Sequence, residues 1–189
     1  MITAEELITT QVPSTEYLTE LSGCSPEEIL FIDIETTGLS PKTTALYMIG
    51  MIFLKDGNWT ARQFFAQDQS QEKELLTGLA DLLENFSAVA HFNGDRFDIP
   101  FLQYKYEQHG LPDPFGQKKS IDIYRMVKPY KLQLGLPDCK QTSIEKFLQI
   151  DREDQFDGKG LIRVYEDYTV SKNPESFRLL MLHNSDDLK

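Results

Sequence analysis

The stretch Ile29-Leu30-Phe31-Ile32-Asp33-Ile34 constrains this chain more than any other. Its continuous hydrophobicity marks a β-strand buried on both faces, the habit of a central strand sandwiched between helices. Asp33 nevertheless lies inside the run, and Glu35 follows it at i+2. Side chains at that spacing point to the same face of a strand. Two like charges on one face of a core strand repel each other and lose solvation, so they need compensation. A hard divalent cation bound through oxygen, Mg²⁺ or Mn²⁺, would supply it. An isolated D-x-E pair is better explained by a strand that has already ended, with both acids in water.

The remaining pattern predicts what surrounds that strand. Gly38 and Pro41 mark a turn after it. Leu46 to Leu54 and Trp59 to Ala66 read as two further strands around the hairpin signal Asp56-Gly57. Leucines 75, 76, 79, 82 and 83 recur at helical spacing within Gln71 to Asn85. A short strand, Ala88 to Phe92, precedes a helix over Ile99 to Gln108 that Gly110 and Pro112 stop. Ser120 to Tyr124 is a fifth strand, and the rest is helical in pieces: Thr142 to Gln149, Leu161 to Tyr168 and Pro174 to Lys189. Short turns make the first three strands an antiparallel meander, and crossover helices make strands 4 and 5 parallel to strand 1. The expectation is an α/β domain with a five-stranded mixed sheet and helices on both faces. Residues 1–27 read as an N-terminal extension with a short helix capped by Ser14.

Composition narrows the class. The 189 residues suit one domain with an ordinary apolar content of 40%. No apolar run is long enough to span a bilayer. The start, MITAEELITT, carries acids where a secretory signal would carry positive charge, so a cytoplasmic location is expected. Cys24 and Cys139 are expected to be reduced thiols. A net charge of −11 argues against a polyanionic partner, but the charge is uneven. Residues 96–140 hold eight Lys/Arg against five acids, a local +3 that leaves −14 for the remainder. Such a strip can still meet phosphate.

Two more segments carry candidate chemistry. In His91-Phe92-Asn93-Gly94-Asp95-Arg96-Phe97-Asp98, a tight turn at Asn93-Gly94 leads from a strand into a helix. Asp98 there either caps the helix or projects toward the strand end. In His183-Asn184-Ser185-Asp186-Asp187, His183 and Asp187 are i and i+4 and share a helix face, so the histidine could act as a base beside a carboxylate ligand. Alone, this last segment reads as a solvated helical turn.

Together and in this order, the three segments resemble the exonuclease motifs of the DEDD superfamily, which has the ribonuclease H-like fold. The first motif, D-x-E, is Asp33-Ile34-Glu35 within FIDIETTGL; the second, N-x-x-x-[FY]-D, is Asn93 to Asp98; the third is His183 with Asp187. FIDIETTGL and HFNGDRFDIPFL are close to the YprB-like branch. The resemblance assigns residues 28–189 to the exonuclease domain. Its third motif departs from the family: the histidine subtype places His five residues before Asp and the tyrosine subtype places Tyr four before, whereas His183 stands four before Asp187. Relatives often continue beyond this point, so a domain truncated at its C-terminus is one reading.

The resemblance implies hydrolysis of phosphodiesters in DNA or RNA, read 3′→5′ from single-stranded ends. Asp33, Glu35, Asp98 and Asp187 would hold two Mg²⁺ or Mn²⁺ ions about 3.5–4 Å apart, one activating water and one stabilising the leaving oxygen. His183 would orient or deprotonate the water. Thr36, Thr37, Gly38 and Leu39 would lie beside the terminal nucleotide. Asn93 is a candidate substrate contact or turn former, and Lys118, Lys119, Arg125 and Lys128 are candidate phosphate contacts. The rival from another class is a nucleic-acid-binding module that keeps the fold without catalysis.

Overall fold

The computed structural model describes residues 1–8, 15–153 and 158–188. Ser14, the expected helix cap, lies outside them, as do Pro13, much of the acidic loop Asp151 to Asp157 and Lys189. The sheet is built from β1 (Ile2–Leu7), β2 (Ile29–Thr36), β3 (Leu46–Lys55), β4 (Asn58–Phe65), β5 (Ala88–His91) and β6 (Lys119–Asp122), in the order β1-β4-β3-β2-β5-β6. The β2–β3–β4 meander is antiparallel, and β5 and β6 run parallel to β2. The sheet thus has six strands where five are expected. The sixth, β1, comes from the N-terminal segment and pairs antiparallel with β4. Its acids hide it from a hydrophobicity reading, because it is an edge strand whose exposed positions carry Glu5 and Glu6. Charge on an edge is how sheets resist pairing with other chains, and Glu5 pairs with Arg62 across the ladder.

Helices cover both faces. On one, α2 (Glu72–Leu83) and α3 (Asp98–Gln108) bury Leu75, Leu76, Leu79, Leu83, Phe101 and Leu102 against Leu30, Ile32 and Ile34 of β2 and Ile49 and Met51 of β3. Each fully buried leucine contributes roughly 1.5–3 kcal/mol. The Tyr106 hydroxyl donates to the Leu76 carbonyl at 2.6 Å and ties these two helices together. On the other face, α6 (Gly158–Ser171) and α7 (Pro174–Leu188) pack Leu161, Tyr165, Tyr168 and Leu180 against Tyr47, Met48 and Phe65. The short helix α1 (Thr15–Ser22) brings Leu18 to the cluster of Ile52, Leu54 and Trp59. Two smaller helices, α4 (Ile123–Val127) and α5 (Gln141–Leu148), lie between β6 and α6 in sequence. No helix among the described residues is long and apolar enough to cross a membrane.

Alternation along β2 decides the functional geometry. Leu30, Ile32 and Ile34 face α2 and α3, which leaves Asp33 and Glu35 on the face that α7 covers. Between Glu35 and Thr36 the β2–β3 register shifts by a bulge, which bends the strand where its acids emerge.

Candidate active site

Three separate segments meet at the end of β2. Asp33 and Glu35 come from the strand, Asp98 from the first residue of α3, and His183 and Asp187 from α7. Asp98 is buried, at 7% exposure. Burial pushes the Asp33 carboxyl well above the usual carboxylate range, and the negative charges of Glu35, Asp187 and Asp98 push it further; a hydrogen bond from Asn184 opposes them. Burial likewise raises Asp98 to about 6, against the main-chain N–H groups of Asp98 and Ile34. Asp187 goes the other way. Burial would raise it, but hydrogen bonds and charge from His183 and Arg152 outweigh that and leave it below its ordinary value.

The contacts around α7 are close. His183 Nε2 lies 3.2 Å from Asp187 Oδ2 and 3.8 Å from Glu35 Oε1. Glu35, His183 and Asp187 each offer a ligand atom within 4.8 Å of the others, a spacing that one ion could bridge. Arg152 Nη1 lies 2.6 Å from Asp187 Oδ1 and 3.0 Å from the buried Glu145 Oε1. Gln141 of α5 donates its side-chain amide to the Asp187 carbonyl at 2.7 Å. Asp186, the neighbouring acid, is turned away and accepts from the Glu153 main chain at 2.8 Å. Sequence reasoning missed Arg152, Gln141 and Asn184. Asn184 sits inside the third motif, but nothing local announces the partners of the other two.

The loop after β2 is held by its own hydroxyls. Thr36 Oγ1 and Thr44 Oγ1 both donate to the Gly38 carbonyl, and Thr37 Oγ1 accepts from the Ala45 N–H. Leu39 projects from this loop, 84% exposed. Asn93 adopts φ +59°, and its main-chain N–H donates to Asp122 Oδ1 at 3.0 Å, so the residue forms the turn. Asp122 also caps α4, accepting from Arg125 N.

The basic strip of residues 96–140 is partly withdrawn. Lys105 is buried against Glu72 at 3.1 Å, with His109 on the same carboxylate at 2.8 Å. Lys118 Nζ donates to the carbonyls of Leu83 and Phe86, which puts its charge at the C-terminal end of α2 rather than on a phosphate path. Lys119 donates to the Ser22 carbonyl at the end of α1. Arg125 is exposed and bridges to Asp95 at 2.6 Å. Lys128 lies over the Tyr124 ring, 5.3 Å from its centre. Lys119 and Arg125 line an open cavity of about 290 Å³ beside β6.

A second cluster, His91, Asp95 and Asp122, has metal-like spacing but different chemistry. The Gly94 N–H donates to His91 Nδ1 at 3.0 Å, which assigns the ring proton to Nε2. Nε2 faces Ser120 Oγ at 2.9 Å, and that hydroxyl donates to Asp95 Oδ1 at 2.5 Å. A nitrogen that carries a proton cannot ligate, so this is a closed hydrogen-bonded network.

The model of the RNase_H superfamily matches residues 30–189. The chain belongs to that superfamily. Among solved structures it is similar to a family B DNA polymerase from the hyperthermophilic archaeon Pyrobaculum calidifontis, with TM-score 0.68 and 16% identity over 85% of this chain and 23% of that one. It is also similar to E. coli Exonuclease I in complex with a dT13 oligonucleotide, with TM-score 0.51 and 17% identity over 82% of this chain and 43% of that one. A second Exonuclease I structure gives TM-score 0.50 at 16% identity. The chain therefore spans less than half the length of these proteins, and the likeness is one of fold. No curated protein matches it.

Proposed function

We propose that this RNase_H superfamily member is a metal-dependent exonuclease that removes nucleotides 3′→5′ from single-stranded DNA or RNA. One observation carries the reading. Buried carboxylates from β2, α3 and α7 converge, and burial pushes Asp33 and Asp98 toward the neutral state, helped at Asp33 by the charges of Glu35, Asp187 and Asp98 and at Asp98 by those of Asp122 and Asp187. Such an arrangement is unstable as it stands, and hard cations relieve it. The donor set of four carboxylates suits Mg²⁺ or Mn²⁺. Asp33, Glu35, Asp98 and Asp187 would hold two such ions. When bound, they supply an activated water and charge stabilisation for phosphodiester hydrolysis.

The chain's own residues do the rest. His183 is placed between Glu35 and Asp187, where it can accept a proton from a water at the site. Asp187 orients its ring. The Thr36–Leu39 loop, fixed by its hydroxyls, presents main chain and the exposed Leu39 side chain to a strand end. Arg125 and Lys128 are the side chains proposed for phosphate, with Lys119 beside them.

The alternative is a nucleic-acid-binding module that does not cleave. The Arg152–Asp187 ion pair favours it, because a guanidinium already satisfies one of the four acids. Incubation with 5′-labelled single-stranded DNA and RNA in Mn²⁺, Mg²⁺ or EDTA separates the two. Metal-dependent laddering from the 3′ end, abolished by Asp33→Ala, is expected. Binding without cleavage in either metal would favour the module.

A further inference from the structure

A row of residues crosses the sheet beneath α7: Asp33 of β2 is in register with Gly50 of β3, and Gly50 with Gln63 of β4. Asn184 of α7, fully buried, lies along this row. Its Nδ2 donates to Asp33 Oδ2 at 2.9 Å, and its Oδ1 accepts from Gln63 Nε2 at 2.9 Å. Gly50 makes this possible, since a Cβ there would fall 2.0 Å from Asn184 Oδ1. Among the described residues, Asn184 is the one side chain that donates a hydrogen bond to the Asp33 carboxylate.

The direction of the relay follows from its far end. Gln63 Nε2 also donates to the main-chain carbonyl of Met181, at 2.9 Å. A carbonyl only accepts, so the nitrogen of the Gln63 amide must face it. That nitrogen's second hydrogen then meets Asn184, whose oxygen must face Gln63. The Asn184 nitrogen is left facing Asp33. Neither amide can flip without opposing two acceptors or leaving a buried group unsatisfied.

We propose that Asn184, locked by Gln63 over Gly50, is a positioning residue that fixes the Asp33 carboxylate in its ion-receiving orientation. Asp33 Oδ2 is steered by the amide, and the rotamer that results aims the carboxylate at the site it shares with Glu35 and Asp98. This rests on the metal-dependent reading above. Groups that orient a metal ligand are typically worth 10–100-fold in metal affinity.

The test is Mn²⁺ titration of the full chain, read by the EPR signal of unbound Mn²⁺, with far-UV circular dichroism verifying the fold. Asn184→Leu keeps volume and removes the donor; a 10–100-fold weaker Mn²⁺ affinity is expected. Gln63→Met touches no carboxylate and removes the bonds to Asn184 and to the Met181 carbonyl; a smaller loss is expected. The double variant should be no weaker than Asn184→Leu, because the two residues act as one relay. The Mn²⁺ concentration for half-maximal cleavage should rise in parallel, with KM for the oligonucleotide unchanged. Wild-type affinity in either folded single variant, or losses that multiply in the double variant, would overturn the proposal. If Asn184→Leu does not fold, Gln63→Met decides alone. A wild-type chain that binds no Mn²⁺ overturns the metal-dependent reading itself, and this proposal with it.

Discussion

On the proposed function, Asp98 serves chemistry at the expense of stability. Its carboxyl is raised to about 6 in the folded chain, against 3.8 ordinarily. The folded state therefore holds its proton more tightly than the unfolded state. Below pH 4 this makes no difference, and as pH rises toward and past 6 the ionised group costs up to roughly 3 kcal/mol. Metal-free protein should accordingly gain thermal stability from this group between pH 7.5 and 5.5. Asp98→Asn should raise Tm at pH 7.5 in EDTA by several degrees and abolish metal-dependent cleavage. Calorimetry in EDTA and the oligonucleotide assay check the two halves, and a Tm that falls on this substitution would contradict the account. Metal affinity should weaken as pH falls through 6, because each ligand must shed its proton first. The same scale explains what was legible beforehand. Asp33 and Glu35 announce themselves because alternation puts them on one face of an otherwise apolar strand. Lys105 and Lys118 mislead, because nothing near them in sequence reveals that Glu72 and two carbonyls at the end of α2 take up their charge.

Secondary-structure elements were readable wherever periodicity was unambiguous. The leucines of α2 and the apolar runs of β2 and β3 set the sheet order and place the acids at a strand end. Two readings differ: β1, where Glu5 and Glu6 replace the expected alternation because an edge strand has one side in water, and the end of the fifth strand, where Asp122 caps α4 and turns Ile123 and Tyr124 into helix. Deleting residues 1–8 should expose the β4 edge, lower Tm and promote aggregation seen by light scattering. Mn²⁺ affinity of the remaining folded protein should hold, since β4 and β3 lie between β1 and the acids of β2. The contact between β3 and α7 is tighter. Gly50→Ala puts a methyl within 2.0 Å of Asn184 Oδ1 and 2.6 Å of Leu188 Cδ1. Lifting α7 to make room should cost about 1–3 kcal/mol in thermal unfolding and weaken Mn²⁺ binding in the same variant. Loss of stability alone, with metal affinity intact, would show that α7 does not carry the geometry. Neither Gly50 nor Gln63 could be singled out from sequence, because their importance arises only when a distant helix lies across them.

For the molecule as a whole, net charge and fold pull in different directions. On the proposed function, a chain at −11 would meet a polyanion through few basic contacts and through the cations it binds. With Arg125, Lys128 and Lys119 as the phosphate contacts, log K for a single-stranded oligonucleotide should fall with log[salt] at a slope no steeper than about −2. A filter-binding series across salt, in Ca²⁺ to suppress cleavage, measures it; a slope near −5 would reveal a basic surface other than this one.

The hydrogen bond between Asn184 and Asp33 spans 151 positions in sequence. A ribosome would complete the β2–β3 hairpin long before α7 emerged, so the nascent chain would carry Asp33 and Glu35 without Asp187 or Asn184. Loops that long close late in folding. On the proposed function, hydrolytic competence then waits until α7 has packed across the sheet. The helix that would complete the ligand set therefore couples any cleavage to a finished fold.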